Sequence, residues 1–356
     1  MIIVGDLAVP DEKHLQRLKQ ALSEDPQIFS GKSLIFNLEG PLFSGKVPQQ
    51  NIPILYNHPE LIKTLSDRGQ TIACLANNHM SDIPHSFEST IDNLKENKVL
   101  YGGAGRSPSE AMNPITFTEF GKEIVIFNSC WDFLLNDFCV RRKSIFVSKI
   151  DERQLLESVA EMKGSKKESF IIIFLHWNLD LEVLPFPAHR QFARLLIENG
   201  ANLVIGAHSH CIQGGEIYKD GYIIYGLGNF YIPHNEFASG KIFYPSFSDL
   251  ELVLEWDCLS NEARCHWFNY MPGGILKKVK SERFEDSSIL KKFSPFTGMS
   301  DRDYIRYFRR NRRKKFLVPV YKDIYSSINI YYTYFLFGRK IITRTLARLN
   351  IINWQR

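Results

Sequence analysis

No hydrophobic run in this sequence approaches the roughly 20 residues needed to span a bilayer, so no transmembrane helix is expected. Paired cysteines are absent too. Cys74, Cys130, Cys139, Cys211, Cys258 and Cys265 are scattered, several in or beside apolar runs, which is the pattern of reduced thiols in a cytosolic protein. Neither a P-loop nor a dinucleotide fingerprint is present. Gly102, Gly103 and Gly105 in YGGAGRSPSEA (101–111) have the glycine content to cradle an anion but not the spacing, so a plain turn is expected. The opening MIIVGDLAVP lacks the basic and long apolar parts of a signal peptide and reads as a first strand. These absences point to a cytoplasmic protein.

At 356 residues, with 44% hydrophobic and 23% charged residues, the chain has an ordinary globular composition and the length for one large domain or two modest ones. Its net charge of +5 is unevenly spread. Residues 277–356 hold 20 Lys+Arg and 6 Asp+Glu, a balance of +14; against chain totals of 44 and 39 this leaves 24 and 33 for residues 1–276, a balance of −9. Pro272–Gly274 is therefore the expected boundary between a body (1–272) and a basic, aromatic-rich helical appendage (273–356). SDRDYIRYFRRNRRKKF (300–316) and the stretch 328–354 admit three readings. One is a basic, base-stacking contact to nucleic acid, for which no specific motif is present. Another is peripheral contact with an anionic membrane at its inner face. The favoured reading is a solvated helix packed on the acidic body.

Along the body, short apolar runs alternate with stretches of helical periodicity. MIIV, SLIF (33–36), TIACLA (71–76), SFIIIFL (169–175) and NLVI (202–205) read as strands. ITFTEF and EIVIFNS form a hairpin around Gly121-Lys122, and DLELVLEW and ARCHWFNYM form antiparallel strands. Helices are expected over 14–22, 59–66, 86–97, 150–163 and 191–199, the last preceded by a proline-containing loop at 185–190.

Five strands end in metal-capable residues: Asp6, Glu39, Asn78-His79, His176, and His208 with His210. Loops at the carboxyl ends of parallel strands gather along one sheet edge, where α/β folds place their ligands. If the chain stays extended past NLVI, His208 and His210 face the same way. Carboxylate, amide and imidazole donors suit Mn, Fe or Zn, and the absence of cysteine argues against a structural zinc site. One or two divalent ions are expected, with Glu39 as the natural bridge.

GD at 5–6, NLEGPL at 37–42, ANNHMSD at 76–82, HW at 176–177, GAHSH at 206–210 and YGLGNF at 225–230, in this order, resemble the CapA family of capsule and poly-gamma-glutamate biosynthesis proteins. That family belongs to the metallo-dependent phosphatase-like (calcineurin-like) superfamily. The resemblance covers roughly residues 1–235. It implies an α/β four-layer α-β-β-α sandwich in which Asp6, Glu39, Asn78, His176, His208 and His210 are metal ligands and His79 is the general acid. Asn37, Asn77 and Asn229 are candidates for substrate contacts; Asn37 is also placed to orient Glu39, and both Asn37 and Asn77 can serve as turn formers. The sequence departs from the pattern at Ala8, where a His is usual in the superfamily, at Asn178-Leu179-Asp180, and in the form of GAHSH. The function implied is a metal-dependent hydrolase in which metal-bound hydroxide attacks a phosphoester or related bond. The alternative is a non-catalytic, metal-binding scaffold for a membrane synthase. The implied partner is an acidic or phosphorylated small molecule or polymer.

Overall fold

The computed structural model describes residues 1–45, 47, 54–135, 145–234, 242–314 and 320, with four dipeptides between 334 and 346. The strands are β1 (Ile2–Leu7), β2 (Leu34–Leu38), β3 (Thr71–Cys74), β4 (Leu100–Gly102), β5 (Ala104–Gly105), β6 (Ile115–Glu119), β7 (Lys122–Cys130), β8 (Phe146–Val147), β9 (Phe170–His176), β10 (Leu203–Ala207), β11 (Gly215–Tyr218), β12 (Gly221–Ile224), β13 (Asn229–Tyr231), β14 (Leu250–Asp257), β15 (Glu262–Met271) and β16 (Ile275–Arg283). The helices are α1 (Glu12–Glu24), α2 (Pro26–Phe29), α3 (Glu60–Ser66), α4 (Ser86–Glu96), α5 (Pro108–Met112), α6 (Asp132–Leu135), α7 (Glu152–Ser165), α8 (Pro187–Glu198), α9 (Ser288–Phe293) and α10 (Asp301–Asn311).

Two large sheets result. One runs β16-β15-β14-β1-β2-β3-β4 with β13 also paired to β1; the other runs β11-β12-β10-β9-β7-β6. Strands β1 to β4 are parallel to one another, as are β7, β9, β10 and β12. Alternation along each strand decides what faces what. Ile3, Ile35 and Ile72 of the first sheet pack with Ile126, Ile172, Phe174, Leu203 and Ile205 of the second, forming the core between the sheets. The opposite faces bury Val4, Phe36 and Ala73 under Leu18, Leu61 and Ile91, and Val125, Ile171 and Val204 under Val159, Phe192 and Leu196. The order is helix, sheet, sheet, helix, the four-layer sandwich expected from the motifs. Gly5 lets β13 approach β1, since a Cβ there would stand 2.0 Å from the Gly228 carbonyl oxygen.

Two sequence expectations are corrected. Pro272–Gly274 is the turn of a hairpin, not the end of the sheet: β16 continues it through a ladder from Met271↔Ile275 to Arg264↔Arg283. The lysines of β16 mask its strand character, since Leu276 is the one buried residue among its nine. Helix α8 begins at Pro187, inside the expected loop, because proline is tolerated where an N–H has no intrahelical partner.

The segment after β16 packs on the body, the favoured reading for the basic tail. Tyr304 and Phe308 of α10 are buried in the core beneath α8, and the Tyr304 hydroxyl donates to the Pro185 carbonyl at 2.6 Å. Arg190 of α8, fully buried, donates to the Phe296 and Met299 carbonyls. Glu216 accepts from Arg194 at 2.7 and 3.0 Å and from the Tyr225 hydroxyl at 2.6 Å, with the Arg190 Nε at 3.3 Å. Asp301 closes this network on Arg190 at 3.2 Å. Most of 328–354, which bears on the membrane reading, lies outside the described residues. Among the described residues, no helix is long and apolar enough to cross a membrane.

Candidate metal centre

All six proposed ligands and His79 meet at the carboxyl ends of the strands, three ligands from each sheet. Asp6 lies near the end of β1, Glu39 follows β2 and Asn78 follows β3, while His176 ends β9 and His208 and His210 follow β10. None is more than 8% exposed, so each must find its partners within the protein. Glu39 Oε1 is the common point. It stands 3.7 Å from His79 Nε2, 4.0 Å from His176 Nε2 and 3.7 Å from His210 Nε2. All three separations exceed a hydrogen bond, and those to His176 and His210 suit donors sharing an ion, whose own bonds run to about 2.0–2.2 Å. Glu39, His208 and His210 form a buried group whose donor atoms all lie within 4.8 Å of one another. Buried carboxylates and imidazoles in this spacing fit a divalent cation.

The supporting contacts set the orientation of each donor. Asn37 Nδ2 donates to Asp6 Oδ1 at 2.7 Å, and the His208 backbone N–H donates to Asp6 Oδ2 at 3.0 Å. His210 Nδ1 meets Asn229 Oδ1 at 2.8 Å; this bond places the proton on Nδ1 and leaves the Nε2 lone pair facing Glu39. His176 Nε2 is 2.8 Å from Asn78 Oδ1. His79 Nδ1 is bonded to Asp82 Oδ2 at 2.7 Å, which also accepts from the Leu55 N–H, so Nε2 turns toward Glu39. Asn57 ties the loops together: its Oδ1 accepts from Val9 N–H at 2.8 Å and its Nδ2 donates to the Gly40 carbonyl at 3.1 Å.

Three expectations change here. His208 and His210 do not lie on an extended segment. Both have left-handed φ values, +84° and +50°, so a tight turn converges them, and strand alternation has no part in it. Asn37 and Asn77 are buried and bonded to the protein: Asn37 holds Asp6 rather than Glu39, and Asn77 donates to Asn37 Oδ1 and the Leu38 carbonyl while accepting from His79 N–H. Asn229 is likewise buried and commits its Oδ1 to His210. These bonds tie the three amides to the residues around the centre. Gly102, Gly103 and Gly105 do more than turn the chain: a Cβ on Gly103 would stand 2.0 Å from Asn128 Oδ1, and one on Gly102 2.6 Å from the Ile115 side chain.

Sequence reasoning left out Asp180 and Asp82. Asp180 Oδ1 stands 3.6 Å from both His208 Nε2 and His210 Nε2. Its signal was a carboxylate four residues beyond His176, and that of Asp82 was one three residues beyond His79. Burial, then the nearby Asp6, pushes the Glu251 carboxyl well above its usual range beneath the site, with the Asn229 backbone in partial compensation. Cys211 is buried, which raises its thiol pKa, and the thiol donates to the Glu182 carbonyl.

Four layers with a buried mixed-donor cluster where two sheets meet define an α-β-β-α sandwich with a candidate metal centre. The chain belongs to the bacterial capsule synthesis protein family PGA_cap, whose model matches residues 12–234. Asp6 precedes that span; every other residue of the centre falls within it. The chain is 28% identical over 174 residues to the capsule biosynthesis protein CapA of Bacillus anthracis, covering 48% of this chain and 42% of that protein. It is 26% identical over 177 residues to the PGA biosynthesis protein CapA of Bacillus subtilis, covering 49% and 46%. The chain thus spans about half the length of the curated relatives it matches. Among solved structures, the sulfate thiohydrolase SoxB of Thermus thermophilus aligns with a TM-score of 0.41 at 9% identity, covering 82% of this chain and 47% of that one.

Proposed function

We propose that this chain is a metal-dependent hydrolase of capsule or poly-gamma-glutamate metabolism, cleaving a phosphoester or related bond in an acidic polymer or its precursor. The observation that supports this best is Glu39 Oε1 standing within 4.0 Å of the Nε2 atoms of His79, His176 and His210. Asp6, Glu39, Asn78, His176, His208 and His210 would hold the ion, Mn, Fe or Zn. Once bound, the ion supplies Lewis acidity and brings the pKa of water at the site to about 7. His79 is the proton donor: Asp82 on Nδ1 orients the ring, and Nε2, turned inward, delivers its proton to the leaving oxygen. Asn37 and Asn229 keep Asp6 and His210 in register.

Metal analysis combined with a panel of phosphomonoesters, phosphodiesters and gamma-glutamyl amides tests this reading. The expected result is stoichiometric metal, turnover on one substrate class, and a loss of about 10²–10⁴-fold in kcat for His79→Ala at unchanged metal content. Ala8 favours a second reading, a metal-binding scaffold for a synthase, because the superfamily's usual ligand is missing there. A metal-loaded protein inert on the whole panel would select that reading.

A further inference from the structure

Helix α10 has two opposite faces. Tyr304 and Phe308 point into the core, where Phe308 lies 5.4 Å from the Phe186 ring and Tyr304 lies 5.5 Å from Phe296. At 3.6 residues per turn, Arg302, Arg306, Arg309 and Arg310 fall within about 100° of arc on the far side, and all four are exposed. Beyond the helix the chain turns to the metal centre. The backbone N–H groups of Arg313 and Lys314 donate to the two carboxylate oxygens of Glu182 at 3.1 and 2.7 Å. Glu182, 1% exposed, lies two residues past Asp180. The Arg313 guanidinium sits 3.9 Å from the centroid of Phe247, which packs on a cluster holding Ala8, Leu181 and Tyr244; the Tyr244 ring is 5.1 Å from that of His210.

We propose that Arg302, Arg306, Arg309, Arg310 and Arg313 form a track on which a linear polycarboxylate lies as it enters the metal centre. The inference rests on the reading of that centre as one for an acidic polymer. The body carries −9 over residues 1–276, and Asp6, Glu39 and Asp180 line the site itself, so a polyanion meets repulsion there. Residues 300–314, which lead to the site, hold 7 Lys+Arg against 2 Asp+Glu and reverse that field locally. Guanidinium groups match carboxylates in bidentate geometry, and the 11 residues of α10 extend about 16 Å, enough for several carboxylates in a row. A membrane surface fits less well. A helix lying on lipid buries its apolar face there, and the apolar face of α10 is already buried in the protein. A single-stranded nucleic acid fits less well too, because the stripe presents no aromatic ring for bases to stack on.

Labelled poly-L-glutamate is titrated against the full chain, metal-loaded and EDTA-stripped, and followed by fluorescence anisotropy. The expected binding weakens steeply with salt and falls about tenfold or more in Arg309→Glu with Arg313→Glu, at unchanged melting temperature and metal content. The pair Arg302→Glu with Arg306→Glu should show the same direction. Wild-type affinity in both pairs overturns the track, as does tighter wild-type binding to phosphatidylserine vesicles or single-stranded RNA than to polyglutamate. His208→Ala with His210→Ala separates the two readings. If it loses metal and keeps polyglutamate, the track stands by itself; if the arginine variants keep both polyglutamate and metal, the metal centre does.

Discussion

At the candidate metal centre, Asp6, Glu39 and Asp180 face imidazoles across gaps of 3.4–4.0 Å. Beneath α8, Glu216 is held by Arg190 and Arg194 at 2.7–3.3 Å. Both clusters are buried, and both gather groups distant in sequence. In the second, burial pushes the Glu216 carboxyl up, but the Arg194 hydrogen bond and Arg190 outweigh it and hold it below its usual range. The first crowds like charges, with Glu251 pushed up beneath them. Charge matched inside the fold stabilises it, whereas charge left for a cation to match costs stability until the cation arrives.

That contrast can be broken by substitution. Glu216→Gln leaves Arg190 buried without its carboxylate and should cost about 3–5 kcal/mol in urea unfolding. A cost near zero would remove the distinction between the clusters. Acid comes next. His189, adjacent to Arg190 on α8, stacks on Trp177 at 4.8 Å and bonds Asn178 Oδ1 at 2.7 Å, supporting the loop that carries Asp180. Burial lowers its pKa from 6.5 to about 3. Between those values the unfolded chain binds a proton that the folded chain refuses, so this stability is complete above about pH 6.5 and lost as pH falls toward 3. Melting temperatures across that window should drop, and His189→Gln should flatten the slope. The smallest effect has the opposite sign. Asp180→Asn relieves crowding and should stabilise the metal-free protein by about 1 kcal/mol or less, read as a higher melting temperature in EDTA, while weakening metal binding.

Much of this was legible in the chain. Ile, Val and Leu runs buried on both faces announce parallel strands, and a donor at the end of each announces where ligands gather. His208-x-His210 was readable as a pair but not as a turn, because left-handed φ at two non-glycine residues is imposed by the site around them. Asp180 escaped because its partners His208 and His210 follow β10, a contact that spacing does not reveal, whereas Asp82 lies only three residues from His79. β16 escaped because an edge strand with one face in water reads as polar chain.

One feature reaches beyond the chemistry. Asp6, Glu39 and Asn78 belong to one sheet and His176, His208 and His210 to the other, with Asp6 and His208 separated by 202 positions. An ion shared among them would rivet the two sheets, closing a long loop whose entropy cost grows only slowly with length. Loading would then be felt as a cross-link. Amide protons of both sheets, and not the loops alone, would slow their exchange together.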